Sequence, residues 1–119
     1  MYLVGDVRLI NVEDVSAPFS LIRDELRKDF VYGNLEGALC DEFDPYEYYS
    51  HGPGFRVNVG MAGAEALKDG NFRVIGLANN AIMGGEPIRG TQALLDGMGI
   101  AHMGAGADGA AARAPAIFE

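Results

Sequence analysis

Three short polar motifs each follow an apolar run. Gly5-Asp6 follows Tyr2-Leu3-Val4, Asn34-Leu35-Glu36-Gly37 follows Phe30-Val31-Tyr32, and Asn79-Asn80-Ala81 follows Val74-Ile75-Gly76-Leu77-Ala78. Such runs predict buried strands, so each motif stands where a strand should end. In open α/β sheets ligands bind outside the carboxyl ends of the strands. Asp6, Glu36 and the asparagines, far apart in sequence, are therefore expected to meet on one rim. Their donors are hard oxygens, which suit a divalent cation, and paired cations are a common device for phosphoester hydrolysis. Read alone, Asp6 also fits a turn-forming carboxylate, and Asn34 with Glu36 fits a capping pair.

Taken in order, Gly5-Asp6-Val7, Val31-Tyr32-Gly33-Asn34-Leu35-Glu36-Gly37 and Leu77-Ala78-Asn79-Asn80 resemble the successive motifs of the CapA-type capsule-synthesis proteins. The likeness continues through 99–106 and 112–117. That family belongs to the poly-gamma-glutamate biosynthesis group. The resemblance implies a calcineurin-like metallophosphoesterase fold: an αββα sandwich with mostly parallel sheets and flanking helices. It implies Asp6, Glu36 and Asn80 as metal ligands, Glu36 being the bridging carboxylate. Asn34, Asn79 and His51 would support the ligands or touch substrate, with Asn79 satisfying the loop backbone. The cofactor implied is a divalent metal, Mn, Fe, Zn or Mg, held weakly or not at all by this chain.

The pattern is broken in two places. The family has His directly after the second Asn, where this chain has Ala81, followed by Met83-Gly84-Gly85. A methyl group cannot transfer a proton or stabilise charge on phosphate, and general acid–base help contributes about 10²–10⁴-fold. The family domain also continues beyond this stretch with His-bearing motifs. Residues 1–119 are thus expected to be one incomplete domain, the N-terminal half, ancestrally a phosphoesterase and catalytically impaired. The alternative is a non-catalytic binding or interaction module using the same rim. His51 or His102 could stand in for the lost imidazole, although His102 reads first as a structural residue.

The elements that position the motifs can be read from the apolar pattern. Ser16 as N-cap and Phe19, Ile22, Leu26 and Phe30 at steps of three or four predict an amphipathic helix ending near Asp29. Met61, Ala64, Ala66 and Leu67 predict a short helix stopped by Gly70. Phe72 to Leu77 is the clearest strand. Pro87 suits the first turn of a helix through Met98. Ile100 to Met103 predicts a strand, 110–112 a helical turn, and 115–118 a last strand. Strand and helix alternate, which argues for α/β. Residues 38–56, acidic and aromatic with Pro53 between glycines, predict a surface loop. Gly104-Ala105-Gly106-Ala107-Asp108-Gly109 spells a dinucleotide fingerprint, but that motif needs an acidic residue about 20 positions on. Only 10 residues follow Gly109.

Composition bounds the rest. With 119 residues and 49% apolar content the chain can fill a core. Its formal charge of −8, with 9 scattered basic residues, argues against a nucleic-acid partner. The single cysteine, Cys40, excludes an internal disulfide. No run approaches the ~18 apolar residues of a membrane span. Asp6 and Arg8 interrupt any secretory leader, so the chain as written is expected in the cytoplasm. The resemblance implies relatives that are often membrane-anchored or exported. Expected partners are a missing C-terminal half or a second copy of the chain.

Overall fold

The computed structural model describes residues 1–9, 12–39, 60–81 and 85–118. Four strands, β1 (Tyr2–Val7), β2 (Val31–Leu35), β3 (Phe72–Gly76) and β4 (Ala101–Met103), pair in that order, each parallel to the next. Helices α1 (Arg23–Leu26), α2 (Gly60–Asp69) and α3 (Gly85–Gly97) fall between them, and α4 (Gly109–Arg113) follows. This is the α/β fold with flanking helices that the alternation predicts.

Strand order equal to chain order has a geometric result. Right-handed crossovers that all step the same way lie on the same face of the sheet. The core agrees. Val31, Leu35, Phe72 and Ile75 share one face and are buried with Leu26 of α1, Leu67 of α2 and Leu95 of α3. Alternate residues, Tyr32 and Asn34 among them, point to the other face. There Leu3, Phe30, Tyr32, Val74 and Met103 make an apolar surface, crossed by Ala116 and Phe118. Phe118 stacks edge-on against Phe30 at 4.9 Å between centroids.

Three expected elements differ. The helix from Ser16 to Asp29 is reduced to the single turn α1. Residues 14–22 instead make three-residue turns, Ala17 N–H to Asp14 O, Ser20 to Ala17 and Ile22 to Phe19. Ser16 is no N-cap, for its N–H and hydroxyl both donate to Asp14 Oδ1. Phe19 leaves the helical stripe to meet Phe72, with centroids 5.2 Å apart, while Ile22 is exposed. Burial against the sheet outweighs a weak helical preference here. Residues 114–118 form no strand either, since they cross the open face without joining the sheet. β1, lastly, runs through Asp6 to Val7. The predicted loop over 38–56 lies mostly outside the described residues.

Polar ties fix the helices to the sheet. Arg23 Nε donates to Asp69 Oδ2 at 2.8 Å, joining α1 to the end of α2. Asn71, at φ 60, donates to the carbonyls of Leu26 and Asp29. Thr91 on α3 is fully buried, and its hydroxyl accepts the Leu39 N–H at 2.9 Å.

Candidate functional site

The rim begins with an irregularity in β1. Leu3 pairs with Tyr32 and Asp6 with Asn34, so three steps on β1 match two on β2. The extra residue is a β-bulge, which re-aims the side chains after it. Strict alternation would set Gly5 opposite Asn34. The bulge sets Asp6 there instead, on the open face. Asn34 Nδ2 then donates to Asp6 Oδ1 at 2.7 Å. Sequence reading reached both residues but not the bulge. Its one trace is Gly5, where an added Cβ would meet nothing within 4 Å.

Asn79 joins the third strand end to this pair. Its Nδ2 lies 3.4 Å from Asn34 Oδ1 and also donates to Leu35 O, while its Oδ1 accepts the Ala81 N–H at 2.8 Å. Asn79 thus pins the loop after β3 to the end of β2, the backbone role expected of it. Gly76 makes the close approach possible, since a Cβ there would stand 2.5 Å from the Tyr32 hydroxyl and 3.5 Å from Asn34 Oδ1. A glycine inside a strand is the sequence signal for such crowding.

Glu36 extends β2 by one residue, its N–H donating to Val7 O at 2.9 Å. Its carboxylate sits 3.7 Å from the Arg8 guanidinium, both side chains roughly a third exposed (31% and 28%). Asn80 is exposed beside Asn79. Ala81 is buried, 4% exposed. His51 lies outside the described residues. His102 is committed elsewhere: its Nε2 is 3.2 Å from Asp96 Oδ1, and its Nδ1 is 3.5 Å from Gln92 Nε2. It braces β4 against α3.

The donors at the rim have the hard-oxygen chemistry of a divalent cation site. Among the described residues no three His, Cys, Asp or Glu side chains gather closely enough to hold a metal. Asp6 and Glu36 are the two carboxylates, and each already has a partner.

The sequence model of the family described as bacterial capsule synthesis protein PGA_cap matches residues 3–119. The chain belongs to that family. Two proteins of Sinorhizobium fredii, uncharacterized proteins y4sH and y4uA, are each 34% identical over 106 residues. The match covers 85% of this chain and 23% of each relative, so the chain spans about a quarter of their length. In this member of the family no helix among the described residues is long and apolar enough to cross a membrane. The Gly-rich stretch after β4 serves the backbone. Gly104, at φ 93, passes so close to Ala78 that a Cβ would lie 2.7 Å from its nitrogen. Asp108 caps α4, its Oδ1 accepting the N–H groups of Ala110 and Ala111.

Proposed function

We propose that this capsule-synthesis domain carries the rim of a metal-dependent phosphoesterase in a reduced form, binding a divalent metal weakly and turning over no phosphoester. Asp6, Glu36 and Asn80 would hold the ion, with Asn34 orienting Asp6. A bound divalent ion of this kind supplies charge stabilisation and an acidified water. The observation that carries the reading is the Asp6–Asn34 pair, set face to face by the β1 bulge and tied by Asn79 to the third strand end. Impairment is supported by Ala81, a buried methyl where the family resemblance expects His.

Manganese titration by calorimetry tests the metal, and a generic phosphodiester with manganese tests turnover. Weak binding lost in Asp6→Ala, without hydrolysis above background, is the expected result. A tight site that survives Asp6→Ala overturns the ligand assignment. Manganese-dependent hydrolysis that needs Glu36 overturns the impairment, and His51 is then the first residue to test.

A second reading, a non-catalytic interaction module, is favoured by the apolar open face of the sheet. It is the better one if manganese does not bind at all.

A further inference from the structure

A cavity of about 370 Å³ opens beside Asn34 on the open face, lined among others by Tyr32, Gly76, Met103, Arg113 and Pro115. Asn34, Gly76 and Met103 stand in register across β2, β3 and β4, so the cavity spans three strand ends. Gly76 forms a floor without a side chain, and the Tyr32 hydroxyl leans across it. The chain beyond β4 turns at Gly104, enters α4 under the Asp108 cap, and brings Arg113 to the cavity from above. The Arg113 side chain folds back along α4, for a Cβ on Gly109 would lie 3.2 Å from its Nη1. Among the described residues neither the Arg113 guanidinium nor the Tyr32 hydroxyl has a hydrogen-bond or ion-pair partner. Arg113 shares this with Lys68, Arg73 and Arg89 among the described residues, but of these four it alone lines the cavity.

We infer that this cavity is an oxyanion subsite and that Arg113 and Tyr32 bind the non-bridging oxygens of a phosphoryl group next to the Asp6–Asn34 pair. The inference deepens the proposed function and takes from it the nature of the ligand, but it uses different residues. A guanidinium offers several N–H donors in a planar fork that matches phosphate oxygens, and the Tyr32 hydroxyl adds one more donor. Met103 and Pro115 keep one wall apolar, which leaves polar contact to the Arg113 and Tyr32 side. Long-range repulsion from the acidic chain opposes any anion, so binding must come from these local donors and is modest, ~1–10 mM for the free ion.

The test is a titration of the metal-free 119-residue chain with inorganic phosphate in a chelator, at constant ionic strength. It is followed by NMR at the Arg113 side-chain Nε–H and the Gly76 and Gly104 amides. Saturable shifts at all three are expected. Arg113→Gln should weaken affinity about tenfold, Arg113→Lys less, and Tyr32→Phe about threefold. Arg89→Gln, on α3, should change nothing. Equal affinity in Arg113→Gln, or equal shifts with acetate at the same concentration, overturns the subsite. Because no metal is present, loss of manganese binding with phosphate binding intact defeats the metal reading alone. Loss of phosphate binding with manganese retained defeats this inference alone.

Discussion

Asn34 and Asp6, separated by 28 positions, are joined side chain to side chain at 2.7 Å, and an extra residue in β1 sets how they meet. Val4 and Gly5 together oppose Gly33, and Gly5 is the member whose Cβ position is open. Deleting Gly5 should therefore regularise the ladder and keep Asp6 opposite Asn34. Inserting a second glycine should turn Asp6 away. Manganese-induced broadening of the Asn34 side-chain amide checks this, and its loss in the deletion variant would refute the register argument.

Placing at position 81 the histidine that the family resemblance implies should not bring phosphodiester turnover. Ala81 is buried, and its N–H holds Asn79 Oδ1. Ala81→His overfills that site, at a cost of ~1–3 kcal/mol. We expect a lower melting temperature and no phosphodiester turnover above background in this chain.

The open face of the sheet should make the chain self-associate. Leu3 is 68% exposed and Ile117 83% exposed beside Phe118. Apolar surface of this kind invites association. Sedimentation should show species heavier than the monomer, shifted towards monomer by Leu3→Glu with Ile117→Glu. A monodisperse wild-type monomer at high concentration would remove the idea.

Thr91→Val should be costly although it keeps the volume. The Leu39 N–H would lose its acceptor in a fully buried place. An unsatisfied buried donor costs about 1–3 kcal/mol. Urea unfolding should register that loss, and a neutral result would mean that water or another group reaches Leu39.

Acid sensitivity has a local marker at Asp14. The Ser16 hydroxyl, and then its N–H, hold the Asp14 carboxyl below its usual range. A depressed carboxyl contributes stability above the unfolded-state pKa and loses it as pH falls through the folded-state value. Ser16→Ala should move the Asp14 titration upward by NMR. An unchanged midpoint would mean that the Asx turn does not persist in solution.

The alternation of strand and helix was legible because Val31, Leu35 and Val74 to Leu77 are apolar enough to be strands under any packing. The rim residues were legible as types, since Asp6, Asn34 and Asn79 stand at or near strand ends. How they face each other was not, because a bulge has no fixed sequence mark and Gly5 reads equally well as a turn. The stretch from Phe19 to Phe30 misled for a physical reason. Its period is helical, but Phe19 gains more against Phe72 than a short helix gains from its own hydrogen bonds. Arg113 was missed as a candidate because only the fold brings α4 over β2, and nothing in the spacing between them shows it.

The strand order β1-β2-β3-β4 bears on how the chain comes together in time. Each of the four described strands pairs with the described strand before or after it in the chain, so none of them must wait for a partner synthesised much later. During N-terminal-first synthesis the sheet can grow at a single advancing edge, each addition closing only the loop that precedes it. The bulge in β1 and the Asp6–Asn34 pair belong to the first of the three described ladders. Arg113 follows the fourth strand. Asp6 and Asn34 are thus brought together before Arg113 is synthesised.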